Sequence, residues 1–254
     1  MNQLFDVSGK KVLVTGSTRG LGYGIAQGFL EAGCEVAIVG TTDKVYEAAD
    51  AFLAKGFPCH GVKGDLGRRE EVYRVFEDCV KALGGSLDVL VNCHGIQRRH
   101  PAEEFPVGDW DDVISVNLSS VFILCQEAGR LMLTKGYGKI INIASMNSFF
   151  GGQTIPAYSA AKGGVAQLTK ALSNDWAGRG VCVNAIAPGY MRTEMNAALL
   201  DPANPRYASI TERIPAHRWG EPEDMVGAAI FLASHASDYV SGAVIPVDGG
   251  YLGK

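Results

Sequence analysis

Long apolar runs are missing from this chain of 254 residues. No stretch approaches the roughly 20 residues that a membrane-spanning helix needs, so no membrane partner is expected. No apolar segment precedes Asp6 either, which argues against a secretory leader and for a cytoplasmic protein. Basic blocks are absent: 23 Lys and Arg against 27 Asp and Glu give a net charge of −4, and no basic stripe suggests a nucleic-acid face. The cysteines, Cys34, Cys59, Cys79, Cys93, Cys125 and Cys182, form no C-x-x-C pair and no ladder with histidine. No disulfide framework and no metal site is therefore expected, and the thiols read as reduced packing residues. Linkers and internal repeats are lacking too. The 32 glycines are spread along the chain and often end apolar runs, the pattern of many tight strand–helix turns.

What is present is an alternation of short apolar runs with helix-length amphipathic stretches. Strands are expected at 11–15, 35–39, 58–63, 87–92, 139–144, 181–186 and 243–247. Helices are expected from the glycine-rich turn to about Ala32, then over 44–55, 69–83 and 110–134, after the fifth strand, and over 222–233, where Pro222 stands in the first turn. Continuous β-branched strands alternating with helices predict an α/β fold, a parallel sheet covered on both faces. The length suits one domain over 1–254. The longest irregular stretch, about 190–219, reads as a substrate loop or lid.

Two residues stand out in the helix after the fifth strand. Tyr158 and Lys162 are four apart, so both project from one helix face. A phenol ordinarily loses its proton near pH 10, and a neighbouring ammonium is expected to lower that value and ready it for acid–base work. The turn Gly16-Ser17-Thr18-Arg19-Gly20-Leu21-Gly22 follows the first strand and opens the first helix. Its glycines permit close approach of a pyrophosphate, and the helix end supplies free N–H groups. The end of the second strand carries Gly40-Thr41-Thr42, with no acid at the place that would repel a 2′-phosphate. Arg19, Thr41 and Thr42 favour NADP. The alternative is that Arg19 is a solvated charge and Asp43 takes the ribose, giving NAD. Asp65 either accepts from the adenine amino group or caps the next helix.

These pieces, together with Asn92 and Gly95, Asn117, Ser145 and Pro188-Gly189, occur in one order, and in that order the chain resembles the short-chain dehydrogenase/reductase family over nearly its whole length. The resemblance implies a Rossmann-like doubly wound sheet and hydride exchange between NAD(P) and a carbonyl/alcohol pair. It assigns Tyr158 as general acid/base and Lys162 as the group that lowers its pKa and holds the nicotinamide ribose. Ser145 bonds the substrate oxygen, and Asn117 positions a water that links Lys162 to solvent. Cofactor contacts are expected from the Gly16–Gly22 turn, Thr41, Thr42, Asp65, Leu66, Asn92, Gly95, Tyr158, Lys162, Pro188, Gly189, Met191 and Thr193. One departure is Cys93-His94, where the family usually has Asn-Ala; His94 reads as a packed or surface histidine.

Within the family, the segments 95–110, 187–195 and 214–220 resemble gluconate 5-dehydrogenases and the related 2-deoxy-D-gluconate dehydrogenases. A sugar acid or polyol is the substrate this implies, and a homotetramer the assembly. Arg98 and Arg192, with Arg99 beside them, lie in loops at carboxyl ends of strands, where a guanidinium fork would bind a carboxylate. Equally, Arg98 and Arg99 would serve a salt bridge or subunit contact. Asn147 and Gln153 would bond sugar hydroxyls, alongside Ser145 and Tyr158. Two other readings are compatible with the fold: a reductase of neutral polyols or 3-oxoacyl thioesters, and a dinucleotide-sensing regulator. The intact Ser/Tyr/Lys set speaks against the regulator.

Overall fold

A computed structural model describes residues 3–254. Its frame is a sheet of seven strands in the order β3-β2-β1-β4-β5-β6-β7, every neighbouring pair parallel. The strands are β1 Lys11–Thr15, β2 Glu35–Gly40, β3 Cys59–Lys63, β4 Val89–Asn92, β5 Gly138–Ile143, β6 Val181–Pro188 and β7 Val244–Val247. Each lies within two residues of its sequence expectation at either end. Parallel neighbours need crossovers, and the helices supply them: α1 Gly20–Glu31, α2 Lys44–Leu53, α3 Arg69–Ala82, α4 Val107–Ile114, α5 Ser120–Lys135, α6 Pro156–Trp176, α7 Ala197–Leu200, α8 Pro205–Arg213 and α9 Val226–Ala233.

The strands are apolar at almost every position because both faces are covered. Along β1, Val12 and Val14 pack with Ile25 and Phe29 of α1 and Met225 before α9. Leu13 faces the opposite way, into a core with Val75 of α3, Leu124 of α5 and Val165 of α6. The six cysteines are all free thiols, and five of them are buried.

Two expectations are corrected. The single helix expected over 110–134 is two helices, α4 and α5, joined by a π-helical turn at Ser115–Ser119. Such turns fit one extra residue into a helix and mark functional sites; this one carries Asn117. The stretch 190–219 is not irregular throughout but holds α7 and α8. Its ends are tied by a parallel bridge between Met191 and Gly220, with Arg192 N donating to Gly220 O at 2.7 Å. Trp219, 1% exposed, anchors it: its Nε1 donates to Thr211 Oγ1 at 2.9 Å, and its ring stacks on Tyr207 of α8. No helix among the described residues is long and apolar enough to cross a membrane.

Strand order reverses between β1 and β4, so the turns after these strands diverge and leave a crevice at the carboxyl edge of the sheet. The residues singled out by the sequence gather around it.

Candidate active site

Helix α6 delivers Tyr158 and Lys162 to the end of β5. Lys162 Nζ donates to the carbonyl of Ile143, the last residue of β5, at 2.6 Å and lies 5.8 Å from the centroid of the Tyr158 ring. Ser145, two residues beyond β5, accepts from Asn147 N at 3.1 Å and lies close enough to the Tyr158 phenol to favour its ionisation. All three line one cavity of about 470 Å³, a size ordinary for small-molecule sites. Asn147 and Gln153 also line it.

The electrostatics depart from the sequence expectation. The Tyr158 phenol is pushed up from its ordinary 10.0, because burial outweighs the nearby Ser145 hydroxyl and Arg99 charge. Burial likewise lowers Lys162 from 10.5 to about 8. The charges acting on the phenol are Cys93, which raises it, and Arg99, which lowers it; Lys162 is not among them. The net direction at Tyr158 is thus upward, set by burial, where the sequence predicted a lowering.

The amide of Asn117 bonds the backbone of Ile96: Oδ1 accepts from Ile96 N and Nδ2 donates to Ile96 O, both at 2.8 Å. The π turn aims this side chain at the segment after β4, which it clamps beside Gly95 and Gln97 of the cavity wall. His94 is packed and not surface-facing. Buried between β1 and α5, its Nδ1 lies 2.6 Å from Thr15 Oγ1 and its Nε2 2.7 Å from Ser120 Oγ. Ser120 gives its own proton to Val116 O at 2.6 Å, so Nε2 must carry the imidazole proton and Nδ1 accepts from Thr15. Burial holds this imidazole neutral, with its pKa lowered to about 3.

The substrate arginines are reassigned. Arg98 does not line the cavity; it points to Asp109 at 3.6 Å and Asp112 at 4.0 Å on α4. Arg192 is likewise outside, 3.1 Å from Glu221. Neighbours on extended backbone face opposite ways, and Arg99 takes the place in the wall expected of Arg98. Sequence reading missed Arg206 and Arg213, which line the same cavity from α8. Their spacing of seven, two helical turns, was the available signal.

The cofactor residues divide in a similar way. Gly16 has φ +64, and a Cβ there would sit 2.6 Å from His94 Cα; one on Gly22 would sit 2.3 Å from Gly16 O. Only glycine permits this tight turn. It leads into α1, whose N-terminus has no side-chain cap and no acid in its first turn, a combination suited to a phosphate. Leu21, Gly95, Pro188, Gly189, Met191 and Thr193 line the cavity, with Thr193 packed beside Gly20. The crevice thus fits a dinucleotide.

At several other expected contacts the side chain is engaged within the fold. The Ser17 hydroxyl is buried, donating to Val14 O at 2.6 Å and accepting from Val39 N at 3.0 Å, so it ties β1 to β2. Asn92 is buried, its amide donating to Asn142 Oδ1 at 2.9 Å. Leu66 packs its side chain in the core. Asp65 does not cap α3, which Arg68 precedes; its carboxylate accepts from Gly67 N at 2.9 Å. Thr41 and Thr42 are exposed at the end of β2, and Asp43 pairs with Lys63 at 2.9 Å rather than turning back to a ribose site. Arg19 is exposed and paired with Glu194; beside it, Thr18 packs its methyl against Gly40.

A family model described as Enoyl-(Acyl carrier protein) reductase, of the short-chain dehydrogenase type, matches residues 16–252. The chain belongs to the short-chain dehydrogenase/reductase family. As such it is an NAD(P)-dependent oxidoreductase that acts on a CH–OH group. Among curated members of the family, it is 46% identical over 257 residues to the 2-dehydro-3-deoxy-D-gluconate 5-dehydrogenase of Pseudoalteromonas atlantica, covering 100% of each chain. A Beutenbergia cavernae protein assigned as an NAD(P)-dependent gluconate 5-dehydrogenase, solved with NADP at low occupancy, superposes with a TM-score of 0.95 at 47% identity, covering 99% of this chain and 100% of that one. The gluconate 5-dehydrogenase of Burkholderia cenocepacia, solved with NADP and tartrate, superposes with a TM-score of 0.93 at 40% identity, covering 99% and 98%.

Proposed function

We propose that this protein interconverts a secondary hydroxyl and a ketone on a sugar acid of the gluconate or keto-deoxygluconate type, with NADP as the favoured cofactor. The observation that carries the reading is one cavity in which Ser145 and Tyr158 face three arginines, with no acidic residue in the lining. A carboxylate held by arginine would place the carbon chain across the Ser145–Tyr158 pair. Support comes from the relatives: they are named for gluconate and 2-dehydro-3-deoxygluconate, and the neighbour structure pairs NADP with a hydroxy acid, tartrate.

Bound nicotinamide supplies or takes up the hydride. For reduction, the Tyr158 phenol, kept protonated by burial, donates its proton to the ketone oxygen while the Ser145 hydroxyl bonds the same oxygen. Oxidation runs this in reverse, with Tyr158 taking the hydroxyl proton. Lys162, in the same wall, would hold ribose hydroxyls, and its ammonium would then favour the phenolate. Asn117 acts as a positioning residue through Ile96. The Gly16–Gly22 turn and the α1 N-terminus would hold the pyrophosphate, and Arg19, freed from Glu194, a 2′-phosphate. We further propose that the whole chain is one domain, cytoplasmic, and assembled as a homotetramer. Exposed Trp110 on α4 and Phe122 on α5 fit such packing.

The test follows reduced nicotinamide by absorbance with gluconate, 2-keto-3-deoxygluconate, neutral polyols and a 3-oxoacyl thioester, each with both cofactor pairs. Saturable turnover of a sugar acid, lost by roughly 100- to 10,000-fold in Tyr158→Phe with cofactor binding retained, is the expected result. Turnover confined to polyols or thioesters overturns the substrate assignment. Light scattering that returns only the 27.0 kDa monomer overturns the tetramer.

A further inference from the structure

The proposed chemistry makes no use of His94, a buried polar residue in the cavity wall. Its ring joins two elements. Thr15 ends β1 and leads into the glycine turn. Its hydroxyl lies 2.6 Å from Nδ1 against 3.3 Å from Val91 O, so its single proton goes to the imidazole. Ser120 opens α5; its hydroxyl lies 2.7 Å from Nε2 and donates to Val116 O at 2.6 Å. The protons thus run one way, from Thr15 to His94, from His94 to Ser120, and from Ser120 to the π turn. Thr15 and Ser120 are both buried, so neither has solvent to bond in place of the ring.

The backbone of His94 is also the floor of the glycine turn. A Cβ on Gly16 would sit 2.6 Å from His94 Cα and 2.9 Å from its N, and one on Gly22 would sit 2.3 Å from Gly16 O. His94, Gly16 and the first turn of α1 are therefore stacked without a gap. The Thr15 oxygen that bonds the ring also accepts from Cys93 N at 3.0 Å, which holds the segment after β4 against β1. Interiors packed this closely pass a displacement on and do not absorb it. A shift of His94 moves Gly16, and with it the N–H groups at the start of α1.

We infer that His94 is a positioning residue for the dinucleotide: its bond to Thr15 fixes the glycine turn in the shape that receives a pyrophosphate, and its bond to Ser120 keeps the ring turned to make the first. It touches no reacting atom in this role. The pyrophosphate is common to both nicotinamide dinucleotides, so the effect is the same for NADP and NAD, unlike that of Arg19 at a 2′-phosphate. It is felt in cofactor binding, and the hydride step between bound partners stays largely as it was.

The experiment separates the two bonds. The Oδ1 of an asparagine stands as far along its side chain as Nδ1 and can accept from Thr15, whereas the Nε2 of a glutamine matches the imidazole Nε2 and can donate to Ser120. His94→Asn, His94→Gln and His94→Leu are compared with wild type on the full-length protein. Leu83→Ala, at the buried carboxyl end of α3, serves as a variant destabilised away from the cavity. Affinities for NADPH and NADH are read by fluorescence titration, stability by urea unfolding, and kcat and cofactor KM with whichever substrate the panel selects. Affinity should fall about tenfold, the scale of one hydrogen bond, in His94→Gln and His94→Leu, equally for both cofactors, and should stay within about threefold of wild type in His94→Asn. The change in kcat at saturating cofactor should be smaller than that in KM. Equal losses in His94→Asn and His94→Gln, or losses that track stability across all four variants, overturn the inference and leave His94 a packing residue. Unchanged affinity in His94→Leu overturns it as well. Should His94→Leu fail to fold, the comparison of His94→Asn with His94→Gln decides. The titrations need no substrate, so their outcome is separate from that of the sugar-acid reading.

Discussion

Lys162 is held in a place where its charge is expensive, and the cost can be measured. Burial lowers its pKa from 10.5 to about 8, which at 1.36 kcal/mol per pH unit is about 3 kcal/mol of preference for the neutral amine in the folded protein. The unfolded chain keeps its proton up to about 10.5, whereas the folded chain gives it up near 8. Between those values the unfolded state binds more protons, so wild-type stability rises with pH through this window. Below pH 8 both states are protonated and the penalty is present in full. Lys162→Met removes the titration but also leaves the Ile143 carbonyl without its partner, so the absolute change at one pH is ambiguous and the pH dependence is not. Urea unfolding of both proteins at intervals from pH 7 to 10.5 should show the wild type gaining about 3 kcal/mol on the variant between pH 8 and 10.5. The buried thiols, pushed up to about 12 or beyond, are common to both and cancel. Parallel curves across the window would refute the reasoning and place the ammonium in a solvated environment. Turnover by the variant should be lost throughout, so the same charge that weakens the fold would be one the chemistry requires.

Further outcomes are expected. Alcohol oxidation should speed up with rising pH across the alkaline range, because the phenol of Tyr158 is held above 10.0 and must ionise to accept a proton, while ketone reduction stays level from pH 7 to 9; initial rates in both directions check this. His94→Ala should unfold with roughly 2–4 kcal/mol less urea-derived stability, since Thr15 and Ser120 lose their shared partner. It should also lose less stability than wild type as pH falls from 6.5 towards 3, where the neutral buried imidazole of the wild type is opposed by protonation in the unfolded chain. Gly22→Ala should abolish the thermal stabilisation that NADP gives, because its methyl would lie 2.3 Å from the Gly16 carbonyl oxygen. Glu194→Gln should improve KM for NADP roughly twofold to fivefold with that for NAD unchanged, since an exposed ion pair competes only weakly for Arg19.

The frame of the fold is legible in the residues because parallel strands buried on both faces write themselves as unbroken apolar runs: Lys11–Thr15 and Val181–Pro188 begin where the sequence places them. The tyrosine–lysine pair is legible for a similar reason, as spacing along one helix fixes shared direction. Direction across a loop is another matter. Arg98 and Arg99 are adjacent and chemically identical, and what separates them is the pull of Asp109 and Asp112 on α4, a tertiary fact. Arg206 and Arg213 were hidden because α8 has weak local signals: it is nine residues long, opens on Pro205 and buries only Ile210. Its order comes from Trp219, which arrives from beyond the helix. Ser17 and Asn92 show the converse. Both are polar residues in the expected motif, yet their side chains bond the sheet and not the crevice, because motif membership fixes a backbone path without fixing which atoms face the ligand.

The π turn at Ser115–Ser119 has a consequence for how this helix tolerates change in length. A helix advances about 100° per residue, and the turn absorbs one residue without passing that rotation on. Delete one residue here and the backbone ladder would close into regular α-helix, a locally better structure. The same deletion would leave the flanking helices in their orientation but take away the bulge that presents the amide of Asn117 to Ile96. Folding and chemistry therefore favour different residue counts in the same segment. A library of single-residue deletions should find this helix forgiving at its exposed end near Lys135. Across the π turn it should yield proteins that are soluble, more helical and inactive.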